Sequence, residues 1–347
     1  MSLTPNYNYT VAVVIPNWNG EKYLPEMLDS ILEQSFKDYR VFVVDDQSTD
    51  NSIELLKAYS AKDSRIKYYV RDREPKGAQT CRNTGFALSE GAKYVVFFDN
   101  DDLIAPYCLE QRVQYMEEHS DLDFAIFPAM NFEKVPYDKP NTVWGCHFAE
   151  DTLQAMLHFT LPMVGWTNIY RRKSYLTHQL QWDERIKVMQ DSDFNIQSLI
   201  KGCVFDYAEF ARPDYFYRAV PKSISSKIYK QDSFDGYIIM IDKILSKLSP
   251  AQILQYGSDL RSYIVHFAAI MVNSSTHLYQ LAHHSGIRGQ RWFSLKIRLW
   301  TTLPYRYRLL NVFFRSELNQ LRYHQQNWQQ MSKKKAYEFA HKKSDIV

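Results

Sequence analysis

The sequence predicts an α/β protein with a mostly parallel sheet, helices on both faces and a helical C-terminal extension. Three observations predict this fold class. Short β-rich runs alternate with helical patterns through about the first 130 residues. The central runs are apolar on consecutive residues, as strands covered on both faces are. From about Pro221 onward, helical and aromatic patterns replace the strand patterns.

The first part of the chain is read as a βαβ series. Amphipathic stretches that predict helices lie between the strand candidates, and such alternation produces parallel strands with right-handed crossovers. In sheets of this kind, ligands bind outside the carboxyl ends of the strands. The predicted strands are Val11–Pro16, Arg40–Asp45, Ile66–Val70, Tyr94–Phe98 and Asp123–Phe127, and the predicted helices run from Leu24 to Leu32, from Ile53 to Tyr59 and from Gly77 to Ser89.

The middle of the chain carries fewer regular patterns. Pro128 to Trp166 contains four prolines and predicts an irregular insertion with loops and one short helix. "DSDFNIQSLIKG" predicts a helix that Gly202 closes, and "CVFDYA" and "DYFYRA" predict strands.

Composition excludes several classes of protein. With 45% hydrophobic and 23% charged residues, the chain is not of a disordered type. The four cysteines lie far apart without a CxxC pair, which indicates reduced thiols of a cytosolic protein, not a disulfide framework or a zinc site. No signal-peptide pattern is visible, and the longest apolar stretch is shorter than the ~20 residues of a spanning helix. We therefore expect a cytoplasmic protein.

The C-terminal part is strongly basic. From Arg288 onward, 13 lysines and arginines face three acidic residues, a net charge of +10, although the whole chain carries only +3. Aromatic residues and leucines are interleaved with these cations. This composition suits an anionic membrane surface or RNA. The leucines favour the membrane, so we expect peripheral attachment to the inner face of a membrane and no nucleic-acid partner. The alternative is a helical tail that packs on the catalytic domain or on a second subunit.

"DNDD" follows the fourth predicted strand and contains Asp99, Asp101 and Asp102. Turn formation alone explains such residues. An EF-hand is excluded, because Leu103 and Ile104 stand where a calcium ligand and a glycine are required. Two carboxylates ~5 Å apart repel by roughly 3 kcal/mol at an effective dielectric near 20. The functional alternative is therefore an open site for Mg²⁺ or Mn²⁺, which prefer hard oxygen ligands.

Three further motifs have both a structural and a functional interpretation. Asp46, after the second strand, belongs to a helix-capping segment or accepts the ring N–H of a nucleobase. Arg82, in "KGAQTCRN", is a surface cation or a partner of a diphosphate. Asp191, in "QDSDF", caps the helix that follows or acts as a general base at its start.

Together these motifs resemble the start of family 2 glycosyltransferases of the GT-A fold, of the type that builds bacterial surface polysaccharides. The resemblance is carried by "VAVVIPNWNGEKYLPEMLDSILEQSF", "VFVVDDQSTDNS", "GAQTCRNTGFALSEGAKYVVFFDNDD" and "GWTNIYRRKSYL…WDERIKVMQDSDF", and covers about residues 9 to 220. It implies a Rossmann-like sheet and metal-dependent, inverting transfer of a sugar from a UDP-sugar to a hydroxyl of a glycan or lipid-linked acceptor.

The resemblance also assigns roles to particular residues. Residues 1–128 become the nucleotide-sugar-binding half, 129–220 the acceptor-binding half, and 221–347 the helical basic extension. Trp166 is placed to stack on an acceptor sugar, although a core tryptophan is an equal alternative. The implied roles are Pro16 and Asn17 in the base pocket, Asp46 and Arg82 on the nucleotide, Asp99, Asp101 and Asp102 as a DxD-type Mn²⁺ or Mg²⁺ site, with Asp101 also near the ribose, and Asp191 as base.

This sequence departs from the family pattern at two positions near the predicted site, and two functions other than sugar transfer are considered. Gln47 stands where glycine is usual, so that turn is expected to differ, and Gln190 stands where glutamate often precedes the base. A noncatalytic sugar-nucleotide-binding module stays open as an alternative. A sugar-phosphate nucleotidylyltransferase is less compatible, because "IPNWNGEKYLPEM" lacks its glycine-rich loop. The sequence does not separate UDP from dTDP, nor does it indicate the sugar or the oligomeric state.

Overall fold

The computed structural model describes residues 7–148, 151–160, 163–219, 230–284, 291–303 and 306–342. Within these ranges the chain forms two sheets, flanking helices and a helical C-terminal part. The strands are β1 (Tyr9–Asn17), β2 (Tyr39–Asp45), β3 (Ile66–Val70), β4 (Ala92–Phe97), β5 (Leu103–Ile104), β6 (Phe124–Ile126), β7 (Ala129–Phe132), β8 (Val143–Trp144), β9 (Asn168–Arg171), β10 (Phe205–Tyr207) and β11 (Tyr215–Arg218).

The helices separate into those around the main sheet and those of the C-terminal part. The first group is α1 (Leu24–Leu32), α2 (Ser52–Lys62), α3 (Ala78–Leu88), α4 (Cys108–Glu118), α5 (Thr152–Leu157), α6 (Arg172–Thr177) and α7 (Gln190–Ile200). The second is α8 (Phe234–Lys247), α9 (Pro250–Gln255), α10 (Gly257–Ile270), α11 (Ser275–His284), α12 (Arg291–Thr302), α13 (Arg306–Phe313) and α14 (Arg315–Lys342).

The main sheet has seven strands in the order β10-β6-β9-β4-β1-β2-β3. Neighbouring strands are parallel except around β9, which runs antiparallel to both β4 and β6. Val11 to Ile15 of β1 are all fully buried, as expected for a central strand covered on both faces. The predicted α/β class with a mostly parallel sheet is confirmed. The antiparallel β9 was not predicted.

Helix packing follows from the apolar spacing that the sequence shows. In α1, Leu24, Met27, Leu28 and Ile31 are buried, a stripe at the helical repeat that faces the sheet. Helix α3 approaches β1 closely at Gly85, where an added Cβ would lie 2.3 Å from Cγ1 of Val14. A glycine is therefore needed for α3 to lie against the central strand.

A second, four-stranded sheet has the order β5-β11-β7-β8. Strands β7 and β8 belong to the segment that was predicted to be irregular, so that prediction is wrong for these residues. These strands are two to four residues long, too short to show a strand repeat in the sequence. The sheet matters for function, because β5 and β11 lie directly beside the "DNDD" turn.

The helical C-terminal part packs against the rest of the chain. Lys243 of α8 donates a hydrogen bond of 2.6 Å to buried Asp193 of α7. The hydroxyl of Ser332 in α14 is bonded to both the N–H and the carbonyl of Val143 in β8. The predicted helical extension is thus confirmed. Among the described residues, no helix has the length and apolar character needed to cross a membrane.

Candidate active site

The ends of β1, β2 and β4 are held together by an amide network. Asn17, the last residue of β1, donates a 2.7 Å hydrogen bond to the carboxylate of Asp45, the last residue of β2. Its side-chain oxygen accepts a hydrogen bond from Asn100, which follows β4. A Cβ at Gly20 would lie 2.2 Å from that oxygen. Pro16 is buried beside Asn17, so both predicted base-pocket residues lie at this junction.

Asp46 lies next to this junction and is 5% exposed. One of its oxygens forms an ion pair with Arg71, and the other accepts the N–H of Gly77 at 2.7 Å. Arg71 is fully buried and is held in turn by the carbonyls of Arg73 and Pro75 at 2.6 and 2.8 Å. The sequence reasoning missed Arg71, although its position directly after β3 was a usable signal.

The turn between β2 and α2 has a left-handed residue at Gln47. Gln47 has a φ of +62°, the left-handed conformation that a glycine would adopt there. Asp45 supports the turn, because its carboxylate accepts the N–H and the hydroxyl of Ser48 at 2.8 and 2.6 Å. The difference expected between this turn and one that contains glycine stays a prediction.

Arg82 connects the "DNDD" turn to the beginning of α7. Its guanidinium donates to the carboxylate of Asp99 at 2.6 Å and to the side-chain carbonyl of Gln190 at 2.7 Å. It also stacks over the ring of Trp182 at 4.5 Å. Arg82 is 4% exposed, so the interpretation as a surface cation is wrong. The predicted contact with a diphosphate stays a prediction.

The carboxylate of Asp102 is used by the protein itself. It is fully buried, and its two oxygens accept the hydroxyl of Tyr215 and the N–H of Arg218, each at 2.6 Å. Burial, together with the nearby charges of Asp101 and Asp99, raises the pKa of Asp102 well above its ordinary value. Tyr215 and Arg218 belong to β11, and no feature of the sequence linked them to "DNDD".

Asp101 has a different environment. Burial and the charge of Asp99 raise the pKa of Asp101 to about 6. No side chain of the described residues donates a hydrogen bond to its carboxylate, although Arg218 bonds its backbone carbonyl at 2.7 Å. Asp101 is therefore a partly buried carboxylate to which no described side chain donates a hydrogen bond.

The oxygens at this turn match the preference of Mg²⁺ and Mn²⁺ for hard ligands. Asp101 fits best, because a cation there would offset the burial and repulsion that raise its pKa. Asp99 keeps one oxygen that Arg82 does not use. The three carboxylates do not converge on one point in the part of the chain that the structure describes. The role of Asp102 as a ligand stays a prediction, since both of its oxygens already bind protein groups.

Asp191 lies in the first turn of α7, where Arg82 and Asp99 are close enough to shift its pKa. Burial raises the pKa of Asp191, the charge of Arg82 opposes this rise, and Asp99 adds to it. One carboxylate oxygen accepts the N–H of Gly165 at 3.0 Å. A Cβ at Gly165 would lie 2.5 Å from that oxygen, so the glycine permits this contact.

The helix-capping interpretation of Asp191 is not observed. Helix α7 begins at Gln190 after Met189, which has a φ of +61° and makes no side-chain capping bond. The neighbouring Asp193 is 2% exposed and pairs with Lys243, so it serves packing. The two aspartates of "QDSDF" thus have different surroundings, and Asp191 is the one placed beside the "DNDD" turn.

Trp166 lies in a cluster of buried core residues. It is 4% exposed and stacks on Tyr215 at 4.7 Å and on Tyr217 at 5.7 Å, with Trp144 packed edge-on at 5.4 Å. The structure favours the core alternative, and acceptor binding by Trp166 stays a prediction. Trp18, directly after Asn17, is 60% exposed and was not among the predicted site residues.

Comparison with known proteins was made by sequence and by structure. Residues 12–179 match the family model described as Glycosyl transferase family 2. The chain is 28% identical over 226 residues to the uncharacterized glycosyltransferase EpsJ of Bacillus subtilis, covering 63% of this chain and 64% of EpsJ. It is 34% identical over 124 residues to the glycosyltransferase GlyG of Streptococcus pneumoniae, covering 36% and 40%. Both matches span less than two thirds of the relative's length.

Solved structures of low sequence identity share the fold. Staphylococcus aureus TarS 1-349 in complex with UDP-GlcNAc superposes with a TM-score of 0.62 at 18% identity, covering 93% of this chain and 92% of TarS 1-349. The mannosyltransferase PcManGT from Pyrobaculum calidifontis, in complex with GDP-Man and Mn²⁺, superposes with a TM-score of 0.53 at 15% identity. This match covers 93% of this chain and 89% of PcManGT. At these identities the likeness shows the fold alone.

Proposed function

Because residues 12–179 match the family model described as Glycosyl transferase family 2, we propose that this chain transfers a sugar from a UDP-sugar to a hydroxyl group of a glycan or lipid-linked acceptor in surface-polysaccharide synthesis. The predicted resemblance to family 2 and the predicted GT-A fold are confirmed, and the glycosyltransferase activity is part of the proposal. The UDP-sugar, the metal, the inverting course and the acceptor are proposals. The UDP-GlcNAc complex of the structurally similar TarS supports the choice of donor.

The proposal rests mainly on helix α3, whose N-terminal end contacts both Asp46 and the "DNDD" turn. At its start, the N–H of Gly77 binds Asp46, and five residues later Arg82 binds Asp99 and Gln190. Five residues of helix span roughly 7.5 Å. Residues from β2, β4 and α7 are thereby gathered along one short path, although they are distant in the sequence.

Asp46 is proposed to bind the base. Each of its oxygens accepts one hydrogen bond from the protein, which leaves lone pairs for the ring N–H of uracil. Buried Arg71 forms an ion pair with the carboxylate and so orients it. Thymine presents the same N–H, so this contact accepts UDP and dTDP alike. GDP is a useful contrast, because its purine base is larger.

Asp101, with Asp99, is proposed to hold Mn²⁺ or Mg²⁺. When bound, such a cation neutralises the diphosphate leaving group. Arg82 orients Asp99 by donating a hydrogen bond to its carboxylate, and Arg218 fixes Asp101 by donating to its backbone carbonyl. Asp102 holds the turn against β11. In this assignment Asp102 positions the turn, which differs from its predicted role as a ligand of the metal.

Asp191 is proposed to accept the proton of the acceptor hydroxyl. Its raised pKa brings the carboxylate closer to the working range of a general base. The N–H of Gly165 fixes one oxygen, and the second oxygen is left for the acceptor. The deprotonated hydroxyl then attacks the anomeric carbon of the donor sugar on the face opposite the diphosphate, and UDP leaves. The configuration at the anomeric carbon is inverted in this single displacement.

Two measurements on the same proteins test this proposal. Calorimetry with UDP should show binding that requires Mn²⁺ and that EDTA abolishes, with GDP binding at least tenfold weaker. A panel of UDP-sugars is then tested with membrane extract that contains acceptors. The wild type should release UDP from at least one of these donors only when Mn²⁺ is present. Equal UDP affinity with EDTA would contradict the metal assignment. Binding of UDP without turnover on any donor would favour the noncatalytic sugar-nucleotide-binding module.

Peripheral membrane attachment is proposed for one face of α12. Phe293, Ile297 and Trp300 are buried, but Trp292, Leu295 and Leu299 on the other side are 83%, 56% and 54% exposed. Three exposed apolar side chains on a basic helix suit insertion at an anionic interface. The alternative, packing on the protein, holds for α14 and for the buried side of α12. Arg288 and Lys343 of the basic tail lie outside the described residues.

Sedimentation with anionic vesicles tests this attachment. The variant Leu299→Glu should reduce vesicle binding several-fold, because it places a negative charge on the apolar face. Leu254→Glu is the matched control, since Leu254 is 86% exposed on a different helix, α9. No binding of the wild type at low salt, or an equal loss in both variants, would contradict the proposal.

A further inference from the structure

Three side chains of metal-binding types meet at a place that the proposed reaction does not use. They are Asp123, His178 and Cys203, whose ligand atoms all lie within 4.8 Å of one another. Within the described residues, this is the one group of three such ligands. Asp123 precedes β6, His178 follows α6, and Cys203 lies between α7 and β10. Their separation in sequence explains why cysteine spacing did not indicate a metal site.

The cluster lies at the opposite end of the main sheet from the "DNDD" turn. Strands β4 and β6 are parallel to each other, because both run antiparallel to β9. Asp123 is at the amino end of β6, whereas Asp99 and Asp101 follow the carboxyl end of β4. The six residues of β4 span roughly 20 Å. A metal held by the cluster is therefore separate from one bound with UDP.

The contacts of His178 place both of its ring nitrogens beside oxygen acceptors. Its Nδ1 is 3.2 Å from the carbonyl of Lys201, a contact in which the ring must donate. Its Nε2 is 3.0 Å from a carboxylate oxygen of Asp123. In the neutral ring, Nε2 then presents a lone pair to that oxygen, and two acceptors repel. A proton or a metal cation on Nε2 removes the repulsion.

We propose that Asp123, His178 and Cys203 bind Zn²⁺. Carboxylate, imidazole and thiolate are zinc ligands, with bonds of about 2.0–2.3 Å. Tetrahedral geometry at those lengths sets ligand atoms about 3.3–3.8 Å apart. The cluster reaches this spacing after side-chain shifts of about 1 Å. Three protein ligands leave the fourth position for water.

The surroundings fit the requirements of such a site. The Lys201 carbonyl orients the imidazole through Nδ1, the arrangement commonly seen behind zinc-binding histidines. The N–H of Val204 holds one oxygen of Asp123 at 2.7 Å. Cys203 is buried, while Asp123 and His178 keep about a fifth of their side-chain surface in solvent, which gives the ion a path in.

The site ties three elements together. Cys203 lies three residues beyond the end of α7, the helix that carries Asp191 in its first turn. A bound zinc would connect this end of α7 to β6 and to α6. Because the ion binds only the folded arrangement, it should stabilise the protein without entering the transfer reaction.

Zinc content and affinity test the proposal on the full chain. The probe is Zn²⁺ alone, measured by mass spectrometry of the protein after dialysis and by competition with a chromophoric chelator. Wild type should retain one Zn²⁺ per chain, and Cys203→Ser and His178→Gln should lower its affinity at least tenfold. Cys146→Ser is the matched control, because Cys146 and Cys203 are equally buried at 7% exposed.

Cobalt and a second variant keep the result unambiguous. Co²⁺ in the wild type should show a thiolate-to-cobalt absorption band that Cys203→Ser lacks and Cys146→Ser retains. Asp101→Asn should keep the zinc, which separates this site from the proposed UDP site. If Cys203→Ser does not fold, His178→Gln, at a partly exposed residue, decides alone. Absence of stoichiometric zinc, or unchanged affinity in His178→Gln, would overturn the proposal and leave an imidazolium–carboxylate pair.

Discussion

Replacing Asp101 by asparagine should stabilise the ligand-free protein and abolish metal-dependent binding of UDP. The carboxylate of Asp101 is partly buried, lies beside Asp99 and lacks a donor from the described side chains. These conditions raise its pKa from 3.8 to about 6. A carboxyl group whose pKa is higher in the folded chain lowers stability above the unfolded pKa, and this loss shrinks as the pH falls.

The size of the effect follows from the two pKa values. Linkage gives a destabilisation of about 3 kcal/mol at pH 7, falling to roughly 0.6 kcal/mol at pH 4. These are upper limits, because the exposed part of the carboxylate is solvated. An unfolding entropy of about 2.1 cal/mol/K per residue converts 3 kcal/mol into a rise in Tm of about 4 °C for this chain. Asparagine keeps the shape and removes the charge.

Thermal unfolding of wild type and Asp101→Asn at several pH values measures this difference. The variant should be the more stable protein at pH 7, and the two curves should converge towards pH 4. Addition of Mn²⁺ and UDP should raise the Tm of the wild type only. Asp121→Asn, at an exposed aspartate, is the control and should change neither quantity. A less stable variant at pH 7, or one that still binds UDP with Mn²⁺, would refute the reasoning.

Three further predictions concern α7. Asp191→Asn should lower kcat ~100-fold or more, while calorimetry shows unchanged UDP affinity. The wild-type kcat should fall with decreasing pH through a midpoint above 3.8, because the base must be ionised. Gly165→Ala should lower kcat more than UDP affinity, since its Cβ displaces the Asp191 carboxylate. Lys243→Met should cost about 3–5 kcal/mol in urea unfolding, because it leaves the charge of Asp193 buried without a partner.

Each of these has a result that contradicts it. Unchanged turnover in Asp191→Asn would assign that residue to structure only. Gly165→Ala with wild-type kcat would show that the Gly165 contact does not position the base. For Lys243→Met, the double variant with Asp193→Asn should recover much of the lost stability. If it does not, the loss comes from packing of α8 and not from the unpaired charge.

The sequence was most informative where strands are long and buried. The first four strands and α1 to α3 were predicted close to their observed bounds, because apolar runs and helical spacing extend over five or more residues there. The strand ends then located Asn17, Asp46 and Asp99 correctly beside one another. The short strands of the second sheet were missed, and with them Tyr215 and Arg218, which fix the "DNDD" turn.

Side-chain partners were the part that the sequence did not reveal. Asp101 and Asp102 are adjacent and chemically identical, yet one is available to a ligand and the other is bonded to β11. The burial of Trp166 and Arg82 could not be read from the sequence either, and it favours a core position for Trp166 and excludes a surface position for Arg82. Such differences depend on which distant strand lies alongside, and local patterns do not contain that information.

Diffraction from crystals soaked with UDP and Mn²⁺ would show directly whether the metal binds at Asp101 and the base at Asp46. Anomalous scattering at the manganese edge locates the ion, and the density of UDP locates the base. The account predicts a manganese peak beside the carboxylate of Asp101, with the uracil ring against Asp46 and the diphosphate between them. A manganese peak only at Asp123 and His178, or UDP bound away from Asp46, would contradict it.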